Sequence, residues 1–167
     1  MSGHSGEQLR AALFDGIGTE IPPDLMVYGG LVQENTVALT LPITHGIVKR
    51  HVLQEDASSR GLRKGTGFHL VEVGAPTGGA GVVATVTVAT ALYVKFAIVQ
   101  VNTTTGVVSV KDSVEELVAD VGLLTYPEPD AGNIVLARIG TVAAPIGNAT
   151  AAIPQAMIDN TARTVGV

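Results

Sequence analysis

The sequence contains no cysteine and no tryptophan, and only 4% of its residues are aromatic. Without cysteine the chain has neither disulfides nor thiolate-bound metals, and its composition carries no information about redox compartment. With so few rings, a core must pack through the Val, Ala, Leu and Ile that dominate the 46% hydrophobic fraction. Stability therefore has to come from burial, hydrogen bonding or association between chains.

Charged residues are also scarce, at 15% of the sequence, and the formal net charge is −5. Affinity for phosphate backbones comes from clustered Lys and Arg, so we predict no nucleic-acid partner. The opening MSGHSGEQLR has no basic segment followed by an apolar one. This pattern predicts no secretory signal.

The most informative stretch that is present is Val82 to Val110, which is rich in β-branched residues. A polar turn from Asn102 to Gly106 divides it, and two such runs around a turn that ends in glycine predict a β-hairpin. Its first part is about as long as a membrane-spanning helix of roughly 20 residues. Lys95 and several threonines interrupt that part, so we predict strands and no contact with a membrane.

Two short helices are predicted beside the strands. Ser5 and Gln8 form a capping-box pattern that predicts a helix over 6–15, and Ser113 with Glu116 predicts a surface helix up to Gly122. The polar segment 55–61 is expected to be a loop. The predicted strands cover residues 25–31, 36–41, 46–54, 68–73, 82–89, 93–101, 106–110 and 134–142.

At 167 residues and with 20 glycines and 8 prolines, the chain is expected to form one mainly β domain with many turns. We predict an antiparallel β-sandwich or barrel-like body over residues 25–142. Residues 1–24 are expected to form an N-terminal helix and arm, because Pro22 and Pro23 impose an extended link. Residues 143–167 carry few charges and are expected to form an extended C-terminal arm.

Motifs for a reaction are missing from the sequence. The glycine clusters lack the spacing of a dinucleotide or phosphate loop, and neither Gly-x-Ser-x-Gly nor His-Glu-x-x-His occurs. We therefore expect no catalytic residues, no enzymatic activity, no cofactor and no metal. One alternative remains open, in which His45, His51 and His69 join a carboxylate such as Asp56 in a metal site.

Charge is distributed unevenly along the chain. Five of the ten basic residues fall within sixteen positions, and six of the fifteen acids lie between Asp112 and Asp130 without any Lys or Arg. The two clusters are either two solvated faces or complementary patches that meet across a contact between subunits. The candidate interaction residues are Lys49, Arg50, Arg60, Arg63, Lys64, Asp112, Glu115, Glu116 and Asp120.

The C-terminal half resembles a β-module found in tail-fibre, baseplate and other structural proteins of tailed bacteriophages. The resemblance rests on the strand pair around Thr105-Gly106, the Pro-rich link 126–129, the strand 134–139 and the Asp-x-x-Arg-like segment 158–163. The acidic insertion between Ser113 and Gly122 departs from that pattern. The resemblance implies a virion structural protein and implies no catalytic residue.

Within that class, the small size favours a capsid decoration, or cement, protein whose β-body sits on the shell while its arms bridge neighbours. The expected partners are the major capsid protein or neighbouring virion proteins, and a homo-oligomer, in particular a homotrimer, is implied by the family resemblance alone. The expected location is the virion surface, on the capsid or the tail. Two alternatives remain: a tail, collar or baseplate fibre-adaptor protein, and a carbohydrate-binding β-module, which the few aromatic rings disfavour.

Overall fold

The computed structural model describes residues 21–58, 61–74 and 81–165, and only the backbone of residues 53–58 and 61–66. The fold is mainly β, with 46% of residues in strands and 10% in helical turns, which confirms the predicted class. The twelve strands are β1 (Leu25–Gly29), β2 (Thr40–Ile43), β3 (Gly46–Ser58), β4 (Gly61–Val73), β5 (Val82–Thr85), β6 (Tyr93–Lys95), β7 (Ala97–Asn102), β8 (Val108–Asp112), β9 (Glu116–Leu117), β10 (Asn133–Ile139), β11 (Ile146–Gly147) and β12 (Ile158–Asp159). Three 3₁₀ turns cover Val118–Leu123, Gln155–Met157 and Asn160–Ala162.

The described strands form four antiparallel sheets. Their strand orders are β1-β3-β4, β12-β10-β7-β8, β11-β6-β9 and β2-β5. None of the four closes on itself among the described residues, so the body is sandwich-like and the barrel-like alternative is not observed.

The predicted central hairpin is present as β7 and β8, which are joined by the turn at Asn102. The Asn102 side-chain oxygen accepts hydrogen bonds from the backbone N–H groups of Thr104 and Thr105, both at 3.0 Å. Gly106 then adopts a φ of +73°, a left-handed conformation that suits glycine. Local turn chemistry therefore fixes this hairpin, as the sequence pattern predicted.

The predicted single strand 93–101 is divided at Phe96. β6 belongs to the sheet with β9 and β11, whereas β7 lies between β8 and β10 in another sheet. The Phe96 ring is buried and stacks on Tyr126, with 4.7 Å between the ring centroids. One extended segment thus passes from one sheet to the next at a buried aromatic pair.

One hydrophobic core joins all four of these sheets. It is built from aliphatic side chains, as the shortage of aromatic residues predicted, and its fully buried members come from strands far apart in sequence. They include Met26, Leu41, Val48, Ala97, Val99, Leu136, Ile139, Ile146 and Ile153. Phe96, Val94 and Leu124 form a smaller cluster beside it.

Strands β3 and β4 form a two-stranded ribbon of thirteen paired positions, from Gly46 opposite Val73 to Ser58 opposite Gly61. The predicted loop over 55–61 is therefore wrong up to Ser58, because regular cross-strand pairing continues through these polar residues. β1 pairs only with the first four positions of β3. Among the described residues, the outer part of the ribbon has two strands only.

The predicted helix from Ser113 to Gly122 is also wrong. Glu116 and Leu117 form strand β9 against Tyr93 and Val94, and only a 3₁₀ turn over Val118–Leu123 follows. The Ser113 hydroxyl accepts a hydrogen bond from the N–H of Phe96. Ser113, which the sequence pattern predicts as a helix cap, thus binds the neighbouring segment at Phe96 instead.

The expectation of an extended arm beyond residue 143 is wrong for the described residues up to Val165. This segment supplies β11 and β12, and its apolar side chains Ile146, Ile153, Met157 and Ile158 are buried in the core. Arg163 donates a hydrogen bond of 2.6 Å to the carbonyl of Gly29, and Val165 forms a bridge with Met26. The reason is the hydrophobic effect, because moving these four apolar side chains from water into the core lowers the free energy of the folded chain.

The predicted N-terminal helix over 6–15 lies outside the described residues. No helix of the described part is both long enough and apolar enough to cross a membrane.

Candidate assembly surfaces

The basic cluster of the sequence falls on the β3-β4 ribbon. Lys49 lies on β3 with its ammonium 4.5 Å from the centre of the Phe68 ring on β4, and Arg50 is the next residue. The strand register places Lys64 opposite Glu55 and Arg63 opposite Asp56, so acids accompany these bases along the outer ribbon. Arg60 lies outside the described residues.

The outer face of the β1-β3-β4 sheet is apolar and exposed. The register places Lys49 opposite Leu70 and Tyr28 opposite Ile47, and strand alternation directs these side chains away from the core side that holds Val48. Phe68 and Leu70 are 53% and 59% exposed. Glu72, opposite Ile47, lies on the same side, so the positive charge of Lys49 is offset there. We call this surface the outer face and define it by Tyr28, Ile47, Lys49, Phe68, Leu70 and Glu72.

Among the acidic residues, Asp112 forms an ion pair within the fold. Its carboxylate lies 2.7 Å from the ammonium of Lys95, whose side chain is only 5% exposed. The Thr87 hydroxyl donates to the same carboxylate oxygen and accepts from Lys95. Asp112 therefore serves first as the partner of a buried cation.

Asp130 is engaged within the chain as well. Its carboxylate accepts hydrogen bonds from Lys111 and from the buried Gln100, at 2.7 and 2.6 Å. These bonds, with that from Lys111 the stronger influence, hold the pKa of Asp130 below its usual value. This acid thus ties the segment before β10 to strands β7 and β8.

Glu115 also binds its own chain, since its carboxylate accepts the N–H of Thr90 at 3.0 Å. Of the four predicted acidic interaction residues, Asp112 and Glu115 therefore have partners in the same chain. Glu116 lies on β9, and Asp120 is exposed on the 3₁₀ turn that follows.

Exposed apolar residues lie on either side of Asp120 in the sequence. Leu117, Val118 and Leu123 are all exposed; Leu117 lies opposite Tyr93, and the N–H of Val118 binds the carbonyl of Leu92. No Lys or Arg occurs between Asp112 and Asp130 in the sequence. Glu116 lies opposite the buried Val94 and therefore points to the other side of β9 from Leu117. We call the exposed surface the turn face and define it by Leu92, Leu117, Val118, Asp120 and Leu123.

Leu92 has an unusual backbone conformation. Its φ of +72° makes it the one non-glycine residue with left-handed φ among the described residues, and its side chain is 78% exposed. That conformation costs an L-residue with a Cβ roughly 1–2 kcal/mol. Its carbonyl accepts the N–H of Val118, and the N–H of Tyr93 binds the carbonyl of Thr90. The turn therefore keeps the apolar side chain of Leu92 in water and its backbone in an unfavourable conformation.

The two faces lie at opposite ends of the central hairpin. At one end, the Gly106 turn touches β4, because a Cβ on Gly106 would lie 2.1 Å from the carbonyl oxygen of Glu72. At the other end, Phe96 and Ser113 exchange hydrogen bonds next to β6 and β9. The six residues of β7 between these ends span roughly 20 Å.

His45, His51 and His69, which the sequence left open as metal ligands, do not form a metal-binding group with other described residues. His45 lies against Tyr28 and 4.0 Å from Glu72, whereas His51 contacts the Pro23 carbonyl at 3.1 Å. No group of three or more His, Asp or Glu suited to a metal occurs within the described ranges. The side chain of Asp56 is not among those described.

The chain matches no protein-family model, no curated protein and no solved structure.

Sequence reasoning included Lys49 and Asp120, which lie on these two faces, among the interaction residues but missed the apolar side chains beside them. Alternation in the segment Phe68 to Val73 correctly separates Phe68 and Leu70 from Val71 and Val73. It does not tell which side is covered, because either set of side chains is apolar enough for a core. Leu92 gave no signal at all, since leucine rarely adopts positive φ.

Proposed function

We propose that the chain is a structural subunit of a tailed-phage virion, and specifically a capsid decoration protein that binds the major capsid protein on the outer shell. The observation that carries the proposal is the β3-β4 ribbon, which continues beyond the cover of β1. Thirteen residues per antiparallel strand correspond to a length of about 44 Å. The ribbon takes the bridging role that was expected of the terminal arms.

A ribbon of this kind is expected to bind a neighbouring protein. A two-stranded hairpin is marginally stable alone in water, and its unpaired edge groups bind another strand or surface. Contact with a shell subunit would supply that cover for the outer positions, from Val52 to Ser58 on β3. Because such binding occurs only in the assembled particle, it stabilises the shell by mass action.

Exposed apolar surface and strand order add support. The body offers two exposed apolar faces, and large exposed apolar patches mark sites of protein contact. The hairpin, the Pro-containing link and strand β10 occur in the order that the phage β-module resemblance requires. In the proposed role, the chain is made in the host cytoplasm and then joins the virion surface.

Copy number in purified particles tests the role directly. Quantitative mass spectrometry of particles from the genome that encodes this chain should find it in amounts comparable to the major capsid protein. A small fraction, matching a single ring, would replace the decoration role with that of a tail or collar adaptor. Absence from the particle would overturn both.

A shortened ribbon tests the attachment itself. In the native chain, the two residues Ser59 and Arg60 connect the paired residues Ser58 and Gly61. The pair Val52–Gly67 lies an even number of positions further back along both strands, so a two-residue Asn-Gly turn can connect Val52 to Gly67 in the same way. We expect a chain with 53–66 replaced by Asn-Gly to fold normally and to lose binding to particles. The matched control replaces only Ser59-Arg60 with Asn-Gly and keeps full ribbon length. Normal binding of the shortened chain would exclude attachment through the ribbon.

A further inference from the structure

We infer that residues 1–20, which precede the described part of the chain, fold back over the outer face and cover its apolar side chains. The inference concerns a single chain in solution and does not depend on the proposed place in a virion. It gives the N-terminal segment a binding site on the sheet of its own chain, in place of the predicted arm towards neighbouring subunits.

The point at which the described chain begins selects this occupant. The Asp24 carboxylate accepts the N–H of His51 at 2.9 Å, and the Pro23 carbonyl contacts the His51 ring at 3.1 Å. His51 lies two positions after Lys49 on β3 and opposite Phe68, so its ring points to the outer side of the sheet. The residues before Pro23 therefore start at the edge of the outer face, beside the row that holds Phe68.

The N-terminal segment carries apolar side chains that suit this face. The sequence predicts a helix over 6–15, in which Leu9, Ala12 and Leu13 share one side. Three side chains of the outer face are each more than half exposed: Tyr28, Phe68 and Leu70. A helix packed on one face of a sheet buries the apolar surface of both, and this layer arrangement is common in protein domains.

The lengths of the segment and the face agree. A helix over 6–15 would be about 15 Å long, and the outer face from Phe68 to Glu72 extends about 14 Å along β4. Residues 16–22 can reach at most about 25 Å when extended, which is enough to carry the chain back across the sheet from Pro23. The turn face lies beyond the far end of the β7-β8 hairpin, so the segment reaches the outer face first. The turn face and the ribbon then remain for contact with other proteins.

Cleavage after Arg10 by trypsin measures how often the segment leaves the face, because a docked segment is cut when it opens. Leu70→Asp places a carboxylate in the outer face without disturbing the core. Cleavage after Arg10, followed by mass spectrometry, should become about tenfold faster in this variant, since one apolar contact of the docked segment is lost. Val37→Asp makes the same kind of change at a residue that is 86% exposed and outside both faces. This control should be cleaved like the original chain.

Engineered cysteines test the docked position, because the chain has no cysteine of its own. The pair Leu13→Cys with Leu70→Cys should form a disulfide within one chain under mild oxidation. The matched control, Ala11→Cys with Leu70→Cys, has nearly the same tether but places the first cysteine on the opposite side of the predicted helix. The control should form its disulfide several times more slowly.

Three results would each overturn the inference. The first is cleavage after Arg10 that Leu70→Asp does not accelerate. The second is an equal rate of disulfide formation in the two cysteine pairs, which would show an undirected tether. The third is a disulfide between two chains, visible as a covalent dimer in non-reducing electrophoresis, which would assign the outer face to a second copy. These experiments use the isolated chain, so their outcome is separate from that of the particle experiments on the proposed function.

Discussion

Lys95 and Asp112 form an ion pair of 2.7 Å between two different sheets, with the lysine inside the protein and the aspartate at its surface. β6 carries the lysine and β8 ends with the aspartate. The ammonium completes its contacts with the Thr87 hydroxyl. This pair therefore neutralises Lys95, the one buried cation of the described core, and joins the end of β8 to β6.

Removing Asp112 should be costly because it leaves a buried charge without a partner. We expect Asp112→Ala to lower the free energy of unfolding by roughly 3 kcal/mol, measured in urea. Asp120→Ala, an exposed aspartate on the 3₁₀ turn, is the control and should have little effect. The double variant Lys95→Met with Asp112→Ala should recover part of the loss. Equal stability of the two aspartate variants would contradict a structural role for the pair.

Two glycines with similar backbone angles should respond differently to alanine. Gly106 has φ +73°, and a Cβ added there would collide with the Glu72 carbonyl. Gly132 has φ +80°, and a Cβ added there would have its nearest neighbouring atom, in the Asn102 side chain, at 3.8 Å. Gly132→Ala should cost about 1 kcal/mol for the left-handed conformation alone. Gly106→Ala should cost several times more, because backbone must also move. Similar unfolding midpoints would show that the β4 contact contributes nothing.

Alkaline pH should destabilise the protein through Tyr126. Burial raises the pKa of this phenol above its ordinary value of 10.0, an effect that the nearby Arg138 guanidinium partly offsets. Between the unfolded and folded pKa values the folded chain holds one more proton, so its stability falls as pH rises through that range. Tyr126→Phe should remove this dependence and the hydrogen bond to the Gly140 carbonyl.

The absorbance of ionised tyrosine checks the same group directly. Because burial raises the pKa of Tyr126, the folded protein should show an ionisation step above the ordinary value of 10.0. The titration of Tyr126→Phe should lack that step. Survival of the step in the variant would contradict its assignment to Tyr126.

The C-terminal segment should be needed for folding. Ile153 is fully buried and exchanges backbone hydrogen bonds with Asn35, so Ile153→Ala should cost roughly 2–5 kcal/mol. Val142→Ala, at a side chain that is 59% exposed, is the control and should change stability little. A chain ending at Ala143 should not fold cooperatively by calorimetry. A stable truncated body would restore the arm model.

The features predicted correctly from the sequence are those set by neighbouring residues. The Asn102 turn needs only its own side chain and Gly106, and the alternation from Phe68 to Val73 follows from strand geometry. The aliphatic character of the core likewise follows from composition.

The errors arise where distant segments decide the structure. Ser113 has the sequence of a helix cap, but its N–H and hydroxyl bind the backbone of Phe96, and the residues after it pair with Tyr93 and Val94 on β6. The C-terminal apolar residues show no strand or helix period, so nothing local indicates that Ile146 and Ile153 fill the core. The exposed position of Phe68 and Leu70 depends on which sheet face the rest of the chain covers.

The contacts between residues 26–35 and 153–165 have a consequence for synthesis of the chain. Asn160 binds both backbone groups of Val32 through its side-chain amide, and Val165 bridges to Met26. These contacts of the N-terminal segment can form only after residues more than a hundred positions later have been synthesised. Contacts so distant in sequence slow folding. Arg163 likewise binds the Gly29 carbonyl on β1, so the β1-β3-β4 sheet gains this support only when translation has passed residue 163.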